Sequence, residues 1–323
     1  MTSQITRNNS PSIEDLRPHH CLERVDIVPD DAATTAFKQT ARLHQARWRE
    51  RHGLEEGTQP MRPKAGQQPR PLGSRIELLS ARRTGANFLN DKVRQVVEWR
   101  IAHPEAHEMI NVDRLFCDLL SSMPMCFNLF GELHGKPEEA THAIRTLFPD
   151  TPGRVSEVRF EWSPGRRDPE YLGNRSAFDV AFELTLPSGQ LGILGVETKY
   201  HEHCKTETKP TKEALKHYES VSMKSGVFKS MALREIVGTD LQQIWLDHLL
   251  ALSMLQHPSG KWGWAKFVIV RPAQNPSYAL ASSRYGGLLT DQGTFSVRTL
   301  ESILDANVLS KELSASFRDR YLW

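Results

Sequence analysis

The segment from Ser176 to Glu202 constrains the fold most strongly, because it consists of two apolar runs joined by a tight turn. The turn Pro187-Ser188-Gly189 fits a three-residue hairpin loop, in which proline suits the first turn position and glycine the left-handed one. In that register Asp179 faces Glu197. A two-residue loop would place these acids on opposite faces and mix apolar with polar side chains, so the three-residue loop is the better prediction.

Side chains alternate along a strand, so this register sorts the hairpin into two faces. One face is apolar and predicts a core: Phe178, Val180, Phe182, Leu184, Leu194 and Val196. The other combines carboxylates, a lysine and small residues, and predicts a solvent-facing surface that a ligand can approach: Asp179, Ala181, Glu183, Ile193, Gly195, Glu197 and Lys199.

Asp179, Glu197 and Lys199 together have the chemistry of a metal-dependent phosphodiesterase. Two carboxylates at cross-strand distance repel each other, and a divalent cation relieves that repulsion. Mg²⁺ prefers oxygen ligands, and it can acidify water and hold a phosphate for in-line attack. A lysine on the same face can steady the hydroxide and the developing negative charge. The alternative interpretation is an ordinary solvated sheet face, since acid-x-lysine pairs are common.

Composition limits the class of protein. The chain has 323 residues, enough for one large domain or two small ones, and its net charge of +2 means that nucleic-acid binding needs a local basic patch. It contains no apolar run of about eighteen residues and no apolar signal segment at its start, so no membrane partner is expected. The four cysteines form no CxxC motif, which favours a reducing cytoplasm over a disulfide framework or a zinc site.

Residues 1–75 are polar and rich in proline, glycine and arginine, and they predict an N-terminal extension. Within it, Ala32–Arg51 predicts a basic helix that packs weakly or contacts nucleic acid, and Gly57–Gly73 predicts a linker. Residues 76–323 are expected to form the main domain, with a core at about 110–275. A basic insertion at about 203–235 is interpreted either as a DNA-facing lobe or as a mobile, soluble segment.

Hydrophobic periodicity predicts further elements along the main domain. The predicted helices are Asn90–Ile101, two short helices within Val112–Leu133 that break around Ser121-Ser122-Met123-Pro124, Thr239–Gln256 with Thr239 or Asp240 as N-cap, and Thr299–Val308. The predicted strands outside the hairpin are Val155–Trp162 and Trp264–Arg271. In the first of these, strict alternation places Val158, Phe160 and Trp162 on one face and Glu157, Arg159 and Glu161 on the other.

Several charged residues outside the hairpin are candidate site residues. Glu132, on a predicted helix, is a candidate third metal ligand. Cations near the hairpin are candidate contacts to DNA phosphates, with ordinary solvated side chains as the alternative: Arg166, Arg167, Arg175 and Lys205. The run His201-Glu202-His203-Cys204 suggests a metal cluster, but neighbouring strand residues point to opposite faces, so no zinc site is expected there.

The order of helix, strand, acidic hairpin, helix and strand resembles the PD-(D/E)XK nuclease superfamily, whose α/β (α+β) fold has an αβββαβ core with a mixed central sheet flanked by helices. Asp179, Glu197 and Lys199 carry the resemblance, and Gln243 or Gln242 matches a glutamine that recurs at the start of the helix after the motif. Phe178 stands where many members have a proline before the first acid.

Four short stretches resemble, more specifically, the bacterial restriction-endonuclease-like branch that is named after a Porphyromonas protein. They are Ser121-Ser122, Phe127-Asn128-Leu129-Phe130, Ala177-Phe178-Asp179 and Glu197-Thr198-Lys199-Tyr200. The resemblance covers about residues 110–275.

The resemblance implies a Mg²⁺-dependent endonuclease that hydrolyses DNA, double-stranded rather than single-stranded, in bacterial restriction or defence, with Mn²⁺ as an alternative metal. Asp179 and Glu197 would bind the metal, Lys199 would assist the water, and Gln243 would orient Lys199 or the phosphate. The alternative is a catalytically silent nucleic-acid-binding or scaffold protein that retains the fold. A homodimer is left open.

Overall fold

The computed structural model describes residues 10–59 and 69–323 of the chain. Its strands are β1 (Glu56–Thr58), β2 (Pro71–Ile76), β3 (Arg154–Trp162), β4 (Phe178–Thr185), β5 (Leu191–Thr198), β6 (Trp262–Arg271) and β7 (Phe295–Thr299). Strands β1 and β2 form a separate antiparallel pair, and the other five form one sheet in the order β3-β4-β5-β6-β7. This sheet is mixed: β3, β4 and β5 are antiparallel neighbours, whereas β5, β6 and β7 run parallel.

The helices surround this sheet. They are α1 (Ile13–Leu16), α2 (Ala32–Arg51), α3 (Leu78–Thr84), α4 (Asp91–Ala102), α5 (Val112–Cys117), α6 (Ser122–Phe130), α7 (Pro137–Leu147), α8 (Lys212–Ser225), α9 (Ala232–Ile236), α10 (Gln242–Leu255), α11 (Pro276–Gly287), α12 (Leu300–Asp305) and α13 (Lys311–Tyr321). The predicted helices are confirmed as α2, α4, the pair α5 and α6, α10 and α12, whereas α1, α7, α8, α9, α11 and α13 were not predicted. The break between α5 and α6 lies at residues 118–121, and Pro124 lies in the first turn of α6. Over the described residues, every helix is too short or too polar to cross a membrane.

The β4–β5 hairpin has the predicted register. Val180 pairs with Val196, and Gly189 has the left-handed φ of +84° that the three-residue loop requires. Carried one residue further, this register sets Asp179 opposite Glu197. The two acids of the motif are therefore brought together by the turn and not by a distant contact.

Helices cover both faces of the sheet. The prediction that the polar face of the hairpin is open to solvent is therefore wrong for most of its length, since Ala181 and Ile193 of that face are buried. Val180 and Phe182 belong to one apolar cluster, with residues of α4 to α7, whereas Ala181 and Ile193 belong to a second cluster with α8, α10 and α11. Parallel strands are normally buried on both faces, and β5 is the strand that joins the antiparallel to the parallel half. The end of β4 that carries Asp179 opens to a cleft.

Phe178 and Trp162 leave the face that strict alternation predicts. Both lie in the second cluster, whereas Phe160 lies in the first. Between Phe160 and Trp162, Glu161 has a φ of +49°, which is uncommon for a residue other than glycine and breaks the alternation of β3. The ring of Phe178 turns across Gly195, where a Cβ atom would lie 2.4 Å from it.

The boundary predicted at residue 75 does not separate two cores. Helix α2 contributes Ala41 and Trp48 to the first cluster, and the side-chain amide of Gln45 donates to the carbonyl of Arg320 at 2.7 Å. The two ends of the predicted linker form the β1–β2 pair, and residues 60–68 of that linker lie outside the described residues. The N-terminal helix is therefore an integral part of the main body.

The predicted basic insertion contains α8 and α9. Tyr218 and Val221 of α8 are buried in the second cluster, and the indole of Trp245 in α10 donates to the hydroxyl of Ser222 at 3.0 Å. Helix α8 of the insertion therefore packs against the domain, and the lysines of the insertion are exposed.

Candidate active site

A cleft of about 1530 Å³ opens where β3 and β5 end and β4 begins. Its lining includes Glu161, Asp179, Glu197 and Lys199. The β3–β4 register sets Glu161 opposite Asp179, because the residues on either side of Glu161 pair with those on either side of Asp179. Three carboxylates therefore come from three adjacent strands at one level of the sheet.

Asp179 is fixed by Thr198 of the neighbouring strand. Its Oδ2 atom accepts a hydrogen bond from the Thr198 amide at 2.7 Å and lies 2.7 Å from the Thr198 hydroxyl. Burial raises the pKa of Asp179 above its ordinary value, although Lys199 and the two Thr198 groups oppose this effect. Thr198 thus holds the Asp179 carboxylate in one orientation, and burial makes its ionised form less favourable.

Glu197 and Lys199 form an ion pair on the floor of the cleft. Lys199 Nζ donates to Glu197 Oε1 at 2.6 Å, and the two side chains are 9% and 13% exposed. Burial and the Asp179 charge raise the pKa of Glu197. Despite its burial, Lys199 has a raised pKa because Glu197 stabilises its charge, so the ammonium stays protonated. Its Nζ also lies 5.7 Å from the centre of the Tyr278 ring.

Glu161 is the acid that sequence reasoning assigned only to the polar face of β3. Burial, and then repulsion by Asp179, raises its pKa to about 8, against the opposing charges of Arg166 and Arg100. The same two arginines hold the left-handed backbone: Arg100 donates to the carbonyl of Phe160 at 2.8 Å, and Arg166 donates to that of Glu161 at 2.7 Å. Strained backbone held in this way is frequent at functional sites.

Glu202 joins the loop after β5 to α6. One of its oxygens accepts from the hydroxyl of Ser122 at 2.8 Å, and the other accepts from the amide of Tyr200 at 2.8 Å. Burial alone would raise the pKa of Glu202, but Lys199, Arg114 and the amide donors outweigh burial and lower it. Glu202 is therefore an ionised neighbour of the acidic cluster, whereas the sequence marked it only as part of the run His201-Glu202-His203-Cys204.

Helix α10 presents Gln243 to the cleft, where its side chain is exposed. Gln242, the other candidate, is buried and anchors the preceding loop, since it donates to the carbonyl of Thr208 at 2.9 Å and accepts from the amide of Gly238 at 2.8 Å. Asp247 follows Gln243 by one helical turn. Burial and the charge of Asp179 together raise the pKa of Asp247 to about 7, against the opposing charge of Lys199.

The N-cap predicted for this helix is wrong by one or two residues. Helix α10 begins at Gln242, so its N-cap residue is Leu241 and not Thr239 or Asp240. Thr239 uses its hydroxyl instead to contact the carbonyl of Ile236 at 2.9 Å, in the turn after α9.

Comparison with protein-family models shows which family the chain belongs to. A family model described as PD-(D/E)XK nuclease superfamily matches residues 30–323. The chain belongs to the PD-(D/E)XK nuclease superfamily. Neither the curated proteins nor the solved structures gave a significant match. Elements α7, β3, the β4–β5 hairpin, α10 and β6 follow the helix, strand, hairpin, helix and strand order expected of the superfamily.

The PD-(D/E)XK cleft does not include Glu132, the predicted third ligand. Glu132 lies in a short 3₁₀ turn, Gly131–Leu133, and its Oε1 accepts from the side-chain amide of Asn90 at 2.9 Å. This acid is not among the residues that line the cleft with Asp179. Glu161 lies where the third carboxylate was expected.

The predicted phosphate contacts divide into two groups. Arg166 is buried, with 4% of its side chain exposed, and it pairs with Glu105, so it supports β3 and does not face the cleft. Arg167 and Arg175 are exposed but are not among the cleft residues, whereas Lys205 is exposed and lines the cleft.

The acids of this superfamily member fit a hard divalent cation by their chemistry, and PD-(D/E)XK nucleases generally use such ions. The described residues contain no group of three His, Cys, Asp or Glu side chains already arranged around a common point as ligands. Yet Glu161, Asp179 and Glu197 are oxygen donors whose raised pKa values reflect burial and mutual repulsion, which a cation would relieve.

The run His201-Glu202-His203-Cys204 sends its side chains to different neighbours. His201 Nε2 lies 2.8 Å from Asp26 Oδ1, and His203 Nδ1 lies 3.1 Å from Lys38 Nζ. Glu202 contacts Ser122, as described above. His201, Glu202 and His203 thus contact three different side chains and do not converge on one point.

Proposed function

We propose that the protein is a divalent-metal-dependent endonuclease that hydrolyses phosphodiester bonds in double-stranded DNA, with Mg²⁺ as its metal and Mn²⁺ as a substitute. The observation that carries the proposal is the convergence of Glu161, Asp179, Glu197 and Lys199 on the floor of one cleft. A solvated sheet face would not concentrate buried acids with raised pKa values beside a buried lysine.

Asp179, Glu197 and Glu161 are the residues that would hold the metal. A bound divalent ion supplies Lewis-acid stabilisation of phosphate oxygens and acidifies water. Thr198 fixes the Asp179 carboxylate through two donors, and such support of a ligand usually matters for affinity and activity. Burial and mutual repulsion disfavour the ionised form of these acids, and a bound cation would relieve that repulsion.

Lys199 serves as a positioned cation and not as a base, because its pairing with Glu197 keeps the ammonium protonated. A buried ammonium can donate to a phosphate oxygen as negative charge develops there, which costs little reorganisation. Gln243 at the rim carries both a donor and an acceptor, so it can orient the phosphate or a water. These roles follow the positions that the structure gives the side chains.

Metal binding should release protons from this site. Ligand carboxylates must be ionised, and the pKa of Glu161 is raised to about 8. At neutral pH the cation therefore competes with a proton, so apparent affinity should increase with pH. The preference for DNA and a role in restriction or defence rest on the resemblance and belong to the proposal. A cytoplasmic location also belongs to it, and it rests on the four cysteines, which form no disulfide.

The test is nicking of supercoiled plasmid by the parent and by Lys199→Met, each with Mg²⁺, Mn²⁺, Ca²⁺ or EDTA. The parent should nick DNA with Mg²⁺ or Mn²⁺ and not with EDTA, and Lys199→Met should be inactive. A gel-shift experiment in EDTA runs in parallel. Binding by a parent that cleaves neither DNA nor RNA with any metal would refute the proposal in favour of a silent binding protein.

A further inference from the structure

The cleft contains two lysines that lack a carboxylate partner. Lys38 comes from α2 and Lys205 from the loop after β5, and both line the same cleft as the acids. The other cations of the cleft are each paired with an acid, namely Arg42 with Asp26, Arg70 with Glu23, Arg75 with Asp118, Arg114 with Glu202 and Lys199 with Glu197. Within residues 10–59 and 69–323, no carboxylate lies within 4 Å of Lys38 or Lys205.

Lys38 is the more unusual of the two, because it is only 4% exposed. Its Nζ lies 3.1 Å from Nδ1 of His203, a neutral or cationic neighbour. Burial lowers the pKa of Lys38, and the charge of Lys205 adds to that effect, although Asp26 opposes it. Burying a charge without a contacting partner is costly, and among the described residues Asp26 and Glu202 act on this lysine only from beyond ion-pair distance, so an anionic ligand would stabilise it. The sequence outside the described residues contains no Asp or Glu.

The loop that carries His203 and Lys205 is anchored by hydrogen bonds on both sides of His203. The side-chain amide of Asn275 donates to the carbonyl of Glu202 at 2.9 Å, and the amide of Cys204 donates to the Ser277 hydroxyl at 2.9 Å. Cations on a fixed loop bind an anion without first paying the entropy of ordering it.

We infer that Lys38, His203 and Lys205 form a second phosphate-binding site in the cleft, separate from the acidic floor. The two ammonium groups supply positive charge and N–H donors to phosphate oxygens, and the neutral imidazole of His203 can supply a further N–H donor. The inference rests on the proposed function, because it assigns the site a phosphate of the nucleic acid beside the one that is cleaved. An internal backbone phosphate and a terminal 5′-phosphate share this chemistry.

The first test measures binding of a labelled DNA duplex in EDTA, so that cleavage plays no part. The variants are Lys38→Gln and Lys205→Gln, and the matched control is Lys216→Gln, an exposed lysine of α8 outside the cleft. Each cleft variant should weaken binding several-fold and reduce the salt dependence by about 0.9 for each lost phosphate contact. The control should match the parent.

Two duplexes distinguish the sources of the phosphate, one with 5′-phosphates and one with 5′-hydroxyls. If the cleft variants lose affinity equally for both duplexes, the site binds an internal phosphate. If they lose affinity only for the 5′-phosphorylated duplex, the site binds a terminal phosphate. If both cleft variants bind both duplexes as the parent does, the inference is wrong.

Inorganic phosphate tests the site independently of the proposed function. Phosphate should raise the melting temperature of the parent relative to chloride at equal ionic strength, and this stabilisation should be lost in Lys205→Gln, whose exposed side chain can be replaced without harm to the fold. That result would keep the phosphate site even if the protein proved to have no nuclease activity. Equal stabilisation of the parent and both cleft variants would overturn the site even in an active nuclease.

Discussion

Replacing Glu161 by glutamine should stabilise the metal-free protein at alkaline pH. The pKa of this carboxyl is raised from 4.5 to about 8 in the folded state, and its oxygens have no hydrogen-bond donor among the described residues. Glutamine keeps the shape of the side chain and removes the charge. The acidic cluster therefore loses one of three mutually repelling groups without leaving a cavity.

The size of the effect follows from the pKa. A group whose pKa is raised on folding contributes its full stability below its unfolded pKa, here 4.5, and that stability is lost as the pH rises towards about 8. The full pKa shift corresponds to roughly 4–5 kcal/mol of lost folding stability at pH values above about 8. Since Glu161 is partly open to the cleft, solvent screening reduces this figure, and we expect a gain of about 2–3 kcal/mol for Glu161→Gln at the alkaline end.

The assay is urea unfolding followed by tryptophan fluorescence in EDTA, at a series of pH values that spans both pKa values. The control is Glu157→Gln on the same strand, whose exposed side chain pairs with Arg159, and it should change stability by less than about 0.5 kcal/mol. Saturating Mg²⁺ should shrink or reverse the advantage of Glu161→Gln. A variant that is no more stable than the parent at alkaline pH in EDTA would refute the crowded-acid interpretation.

Three further substitutions give distinct outcomes. Arg166→Ala removes the buried partner of Glu105 and should cost about 2 kcal/mol or more of stability. The DNA affinity of the folded variant and the salt dependence of that affinity should stay unchanged. A weaker salt dependence would show that Arg166 contacts a DNA phosphate after all. Thr198→Val removes a donor to Asp179 and should lower metal affinity by about tenfold or more, as calorimetry would show; parental affinity would mean that the hydroxyl is dispensable. Gln243→Ala should slow cleavage on the order of 100-fold with an unchanged melting temperature, and an unchanged rate would make Gln243 a bystander.

Local signals in the sequence were sufficient to predict the centre of the site. The loop Pro187-Ser188-Gly189 and the segregation of apolar residues determine the hairpin register, because a slip of one residue would expose the core face. That register brings Asp179 and Glu197 together. It needs no information from distant parts of the chain, which is why it could be predicted.

The third acid could not be predicted in this way. Glu161 faces the cleft because its backbone is left-handed, and that conformation depends on Arg100 and Arg166, which lie in other elements. Alternation along β3 gives no sign of the break. Likewise, Lys38 reaches the cleft only because α2 packs onto the main body, whereas composition had favoured a peripheral extension. Contacts between residues far apart in sequence decide both positions.

The central claim is that Asp179 and Glu197 hold the metal that supports cleavage and that Lys199 acts without binding it. The most direct measurement is calorimetric titration of Mg²⁺ into the parent, Asp179→Asn, Glu197→Gln and Lys199→Met, paired with plasmid cleavage by the same preparations. Both acid variants should lose metal binding and cleavage, and Lys199→Met should lose cleavage but bind metal at least as tightly as the parent. Metal binding that survives in both acid variants would contradict the claim, even if the parent proved to be a nuclease.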